Sequence, residues 1–398
     1  MALDDANHLY FVDTEVADNT ITRWTISGRD RIKLDYSRPL IPSAQLVDYR
    51  PWITAHGDGE VFYTGNTGVA QAYPAGGGSG SGVGPGRFIV YASHDGGQTF
   101  DSVGVPLKDS GWCRPAADHA RGSTYIYVIC TDDKFLGLNN PTGSPDEVGN
   151  VYAYVSPDNG ATFERYKMGE YKPRDSTTTY PTVAIAPDGS IWALYVDAAR
   201  IEETKDELGE SSFKTISNKL MLYHSRDHGK TWSRQDITPA SGRYRYSWLA
   251  LSQDGKTLGL GVYRRPGAKA AWQVFGAAWK PGRKPALTAL DPGSPVAPST
   301  GEPPGDLLGA YFDPDARLSV VWTRPVLRSP TGSTIYRDIY HARSLPVSAV
   351  LGLRRTRPAP PRATTGLPAT GLSDDPESAV LAFVVASAVA AFVSRRRA

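Results

Sequence analysis

The chain has 398 residues, with 43 Lys+Arg against 41 Asp+Glu and a formal net charge of +2. Charge this balanced supplies no strongly basic face, so nucleic acid is not an expected partner. The 40 Gly, 31 Pro and 21 Tyr favour turns and strands over helices, and the first 345 residues read as all-β.

In chain order, apolar segments meet at short polar turns. The clearest are Trp52-Ile-Thr-Ala-His-Gly-Asp58-Gly59-Glu-Val-Phe-Tyr, Thr182-Val-Ala-Ile-Ala-Pro-Asp188-Gly189-Ser-Ile-Trp-Ala-Leu and Trp248-Leu-Ala-Leu-Ser-Gln-Asp254-Gly255-Lys-Thr-Leu-Gly-Leu. Looser copies turn at Asp5-Ala-Asn7, Arg121-Gly122 and Asp315-Ala316, giving successive spacings of 53, 63, 67, 66 and 61 residues. Each unit has room for four strands, so six units predict a six-bladed β-propeller over residues 1–348. Closing sheets into a ring leaves few exposed edges.

A second repeat lies later in three of the units. It appears as Ser93-His-Asp95-Gly-Gly97-Gln-Thr99-Phe100, Ser156-Pro-Asp158-Asn-Gly160-Ala-Thr162-Phe163 and Ser225-Arg-Asp227-His-Gly229-Lys-Thr231-Trp232. The pattern suits a turn whose Asp accepts backbone N–H groups, whose Gly takes a positive φ, and whose Ser and Thr hydroxyls tie the turn down. These residues read as structural. The same Asp in successive units is a turn brace before it is a catalyst.

Cys113 and Cys130 are the only cysteines. They flank a hairpin turning near Ala120–Gly122 that sets them nearly opposite each other. Both a disulfide and a pair of buried thiols fit. With no companion His cluster, no metal site is implied, and no cofactor is expected.

The repeats resemble those of the sialidase/BNR (Asp-box) propeller family over roughly residues 1–345. That resemblance implies an exo-sialidase or related glycoside hydrolase; a noncatalytic adhesin or glycan-binding scaffold is the other reading. Sialidases bind the substrate carboxylate with three arginines and use a Tyr nucleophile. By the resemblance, the candidates sit where the chain enters the inner strands. Arg50, Arg114 and Arg245 would hold the carboxylate. Tyr180 or Tyr246 would be the nucleophile, and Asp48 or Asp306 the acid/base. Glu202 or Glu203 would assist. Tyr49-Arg50-Pro51-Trp52 is the nearest match to the family's Phe/Tyr-Arg-Ile-Pro motif and lacks the Ile. Long second-to-third strand loops are expected at Asn66–Gly86, Thr131–Asn150, Asp197–Asn218 and Thr323–Thr334, all on the inner-strand entry face.

The two ends carry addressing information. Residues 349–366 read as a Pro/Arg-rich linker. Residues 367–398 hold Leu367-Pro368-Ala369-Thr370-Gly371, an acidic spacer, the apolar run Ala379–Val393 and Arg395-Arg396-Arg397. This resembles a Gram-positive sortase signal. It implies cleavage between Thr370 and Gly371, attachment to peptidoglycan, and transient membrane insertion of 379–393 as a short helix. A wall-sorted chain needs export, but Met1-Ala-Leu-Asp-Asp-Ala-Asn has no basic or apolar leader region. Met1 also falls inside the first inner strand. The expectation is an upstream extension carrying a signal peptide and the rest of that strand; a decayed gene whose product is never exported is the alternative.

Overall fold

The computed structural model describes residues 1–14, 19–28, 31–40, 52–66, 88–132, 148–172, 181–205, 211–293, 295–298, 308–327, 335–344 and 353–354. These residues form strands and turns without a helix, so none of them forms a helix long and apolar enough to cross a membrane.

Twenty-four strands form six four-stranded antiparallel sheets. The first blade holds β1 (Ala2–Leu3), β2 (His8–Thr14), β3 (Asn19–Gly28) and β4 (Arg31–Pro39). The second holds β5 (Trp52–His56), β6 (Glu60–Asn66), β7 (Phe88–Ser93) and β8 (Val105–Leu107). The third holds β9 (Cys113–Ala117), β10 (Ile126–Thr131), β11 (Gly149–Ser156) and β12 (Glu164–Tyr171). The fourth holds β13 (Thr182–Ile185), β14 (Ile191–Lys205), β15 (Ser211–Ser225) and β16 (Ser233–Asp236). The fifth holds β17 (Arg243–Leu251), β18 (Leu258–Arg265), β19 (Gln273–Trp279) and β20 (Thr288–Ala289). The sixth holds β21 (Leu308–Phe312), β22 (Leu318–Leu327), β23 (Ile335–Ser344) and β24 (Leu353–Arg354). Each sheet keeps its strands in chain order, and the inner strands β1, β5, β9, β13, β17 and β21 pack side by side in sequence. This is the six-bladed propeller read from the repeats. β24 lies within 349–366 and pairs with Arg343 and Ser344, so the sixth sheet extends into the stretch expected as linker.

All six predicted turns join the first and second strands of their blades. Each contains a left-handed residue: Asn7, Gly59, Gly122, Gly189, Gly255 and Ala316, with φ from 54 to 87°. Inner strands are riveted to their neighbours by threonines. Thr54 Oγ1 accepts from Ala117 N at 3.0 Å, and Thr182 Oγ1 accepts from Leu249 N at 3.2 Å. The apolar cores lie between adjacent sheets, as with Phe62, Val90, Val128 and Tyr154 between the second and third blades.

Cys113 and Cys130 pair directly across β9 and β10 and form a disulfide, their Cα atoms 4.1 Å apart. The two loops expected around Asp197–Asn218 and Thr323–Thr334 need correction. β14 and β15 stay paired to Lys205 and Ser211, making a ribbon that rises past the flanking strands. Bulges at Ala198/Arg200 and Arg200/Ile201 bend it. β22 and β23 likewise remain paired to Leu327 and Ile335. The polar run Glu202-Glu-Thr-Lys concealed this strand from a reading by apolar pattern. Most of the loops expected at Asn66–Gly86 and Thr131–Asn150 lies outside the described residues.

Candidate ligand site at the ring axis

Inner strands of the second, third and fifth blades send side chains to one place. The Arg114 guanidinium of β9 lies over the Trp52 ring of β5, with Cζ 3.8 Å from the centroid. It also lies 4.2 Å from the Trp248 ring of β17. The indoles are 6.4 Å apart and inclined at 60°. The second, third and fifth blades contribute these groups, so the cluster spans the ring's interior. Two cation–π contacts hold the guanidinium beside both indoles. A guanidinium so placed is of the type that binds carboxylates.

Tyr246 adjoins this cluster. It lies on β17 at φ 49°, a conformation uncommon for any L-residue and costly for an aromatic one. The cause is a bulge: Arg245 faces Tyr263 and Trp248 faces Gly261, so Tyr246 and Ser247 share one partner position. The extra residue inverts the strand's alternation. Before the bulge odd-numbered Arg243 packs toward Trp272 and the sixth blade; after it even-numbered Trp248 and Ala250 do. Half-buried Tyr246 thereby packs against both the second–third and the fifth–sixth blade cores. Its ring meets Tyr263 edge-on at 6.4 Å. Asn218, at the ribbon base, fixes the entry to β17 by donating to Tyr244 O and accepting from Tyr244 N.

The sequence candidates distribute as follows. Arg114, Arg245 and Tyr246 lie on inner strands. Arg245 is buried at 3% exposure, on β17 two residues after Arg243. Asp48, Arg50, Tyr180 and Asp306 lie outside the described residues, as do Leu367, Pro368, Thr370 and Gly371. Glu202 sits on the projecting ribbon opposite Lys214, and the Glu203 side chain is outside the description. Sequence reasoning missed Trp52 and Trp248 as site residues. Both open matching repeats, Trp-Ile-Thr-Ala and Trp-Leu-Ala-Leu, and that shared aromatic was the available signal.

The Asp-box residues are structural, in one repeated circuit. Ser93, Ser156 and Ser225 each donate to their aspartate's Oδ1 at 2.8 Å. Each Ser Oγ accepts from Gly97, Gly160 or Gly229 N at 2.8–2.9 Å. Each Asp Oδ2 accepts from Thr99, Thr162 or Thr231 Oγ1 at 2.6 Å. The Thr231 hydroxyl and N–H bonds hold Asp227 down at about 2. Burial raises Asp95 and Asp158, but hydrogen bonds led by Thr99 and Thr162 outweigh it and leave both lowered.

Asp4, His8 and Asp58 bring ligand-type atoms within 4.8 Å of one another. Asp4 Oδ2 already accepts from Tyr10 OH and Gly59 N and contacts His8 Nδ1, while Oδ1 accepts from Ala6 N and His8 N. This knot ties the first blade to the second.

Residues 223–234 match the BNR/Asp-box repeat. That match falls on the fourth blade's box. No curated protein matches the sequence. Among solved structures, the chain is similar to a protein of unknown function from Dyadobacter fermentans, with 13% identity, 86% of this chain and 92% of that one covered, and a TM-score of 0.49. An alpha-L-arabinanase from Penicillium chrysogenum complexed with arabinobiose shows 11% identity, 83% coverage of each chain and a TM-score of 0.46. The Hadza microbial sialidase Hz136 shows 14% identity over 85% of this chain and 66% of that one, with a TM-score of 0.41.

Proposed function

We propose that this propeller recognises acidic glycans of the sialoside type at its axis, with Arg114 meeting the sugar carboxylate and Trp52 and Trp248 packing on the ring. The observation that carries this reading is the Trp52–Arg114–Trp248 cluster, built by three blades. An indole face covers the apolar C–H surface of a sugar, and a guanidinium suits a carboxylate. Tryptophan fluorescence titrated with sialyllactose tests it. Saturable change is expected for the full chain, with affinity at least about tenfold lower in Trp52→Ala. An unaltered titration in that variant counts against the reading.

Tyr246 favours a second reading, hydrolysis, because its left-handed backbone places a strained tyrosine at the axis. The same samples, supplied with a fluorogenic sialoside, then show turnover that Tyr246→Phe abolishes.

Outside the propeller, the order of Leu367-Pro368-Ala369-Thr370-Gly371, apolar run and basic end supports export and covalent attachment to peptidoglycan by a sortase. The Cys113–Cys130 disulfide supports an oxidising, extracellular setting.

A further inference from the structure

Near the start of its second strand, each of the first four blades packs an aromatic residue toward the next blade: Tyr10, Phe62, Tyr127 and Trp192. For the first three, the next blade's Asp-box turn caps the ring. A Cβ on Gly97 would lie 3.7 Å from Tyr10, and one on Gly160 3.0 Å from Phe62. The Tyr127 hydroxyl meets His228 Nδ1 at 3.1 Å. All three rings are 0% exposed.

Trp192 has no such cap. The fifth blade carries no Asp box; its corresponding turn is Lys280-Pro281-Gly282-Arg283. A cavity of about 330 Å³ lies between Trp192, His224, Arg226, Ser233 and Gln235 of the fourth blade and Pro281–Gly282 of the fifth. Trp192 and His224 are cross-strand partners whose rings stack at 3.8 Å and 12°, giving a flat floor. Arg226 stands exposed at the rim and makes no ion pair among the described residues. Lys280 and Arg283 flank the opposite wall. Asp227 is the nearest acidic residue in sequence, and both its oxygens are taken by Ser225 and Thr231. Asp188 also faces His224, with its Oδ1 engaged by Ser190. Burial first, and Arg226 second, lower the His224 pKa, so its imidazole is neutral at neutral pH and leaves the cationic role to Arg226.

We infer that this inter-blade cavity is a second binding site, for a single pyranose ring bearing a carboxylate. An aromatic floor suits the ring's C–H face, Arg226 suits the carboxylate, and Ser233 and Gln235 suit hydroxyls. The volume is at the small end of the about 300–1,000 Å³ usual for small-molecule pockets, which fits one sugar unit and not a chain. The site is at the Asp-box end of the blades, opposite the inner-strand entries, and shares no residue with the axial cluster.

Calorimetric titration of the full chain with D-glucuronate, its methyl ester and D-glucose tests this. Glucuronate is expected to bind saturably, with the ester and glucose weaker by at least about tenfold. Arg226→Gln, at an exposed position, reduces glucuronate to the level of glucose. Trp192→Ala weakens binding by at least about tenfold, and Ser233→Trp, which fills the cavity from its exposed rim, does the same without removing a core ring. Trp52→Ala leaves glucuronate binding in place, which separates this site from the axial one. Absence of saturable binding, equal affinity for glucose and glucuronate, or unchanged affinity in Arg226→Gln and Ser233→Trp overturns the assignment.

Discussion

At the residue scale, Asp95, Asp158 and Asp227 each collect their neighbours' hydrogen bonds with almost the same lengths in three blades. That circuit was legible in the sequence because every partner lies within four residues of the aspartate. Half of the glycine's role was not. Gly97, Gly160 and Gly229 do take positive φ, at 75, 82 and 78°, as the motif requires. They also press on the preceding blade, where a Cβ on Gly229 would come within 3.0 Å of Val155. A contact 74 residues away in the chain leaves no mark on an eight-residue pattern. The depressed Asp227 pKa gives a signed prediction. A carboxylate bound more weakly to protons when folded stabilises the fold above its unfolded pKa, about 3.9. That contribution is present at neutral pH and is lost as pH falls from about 4 through about 2. Asp227→Asn is expected to lower stability at pH 7 by about 1 kcal/mol, as for loss of a capping acceptor. In denaturant titrations, the gap from wild type should narrow toward pH 2. A gap independent of pH means the carboxylate charge contributes nothing.

Among the elements, hairpins with a glycine turn were readable and long polar ribbons were not. A short, nearly continuous apolar run marks a strand buried on both faces, such as β10, whose six residues are all buried. The β14–β15 ribbon beyond Asp197 lacks that signal, because both its faces leave the sheet stack. The β17 bulge was equally invisible: Tyr246 and Ser247 carry no local mark of a two-against-one register. The cysteine pairing was open from sequence, and strand register settles it by setting Cys113 opposite Cys130. The disulfide closes a separation of 17 residues, for which loop-closure entropy corresponds to about 3 kcal/mol. Replacing both cysteines by alanine is expected to lower the unfolding free energy by about that amount, measured in urea. Native strand content should persist, since five backbone pairs still join β9 and β10. An unfolding curve superposable on wild type contradicts a stabilising role.

For the whole molecule, the ring is what turns separate repeats into a site. Trp52 and Trp248 are 196 positions apart, and Arg114 falls between them. Each is an ordinary inner-strand residue within its own blade. Only the assembly of blades into a ring brings them together, so a reading of motifs selected Arg114 but passed over its two indoles. The missing Asp box of the fifth blade acts at the same scale: one altered turn leaves Trp192 uncapped and a cavity between blades. The central claim is that the axial Arg114 recognises a sugar carboxylate. Its most direct test is calorimetric titration of wild type and Arg114→Gln with sialyllactose and with its carboxylate methyl ester. The account predicts that wild type prefers the acid by at least about tenfold and that Arg114→Gln, still melting cooperatively, binds acid and ester equally. Retention of the acid preference in Arg114→Gln, or no saturable binding by the folded wild type, would contradict it.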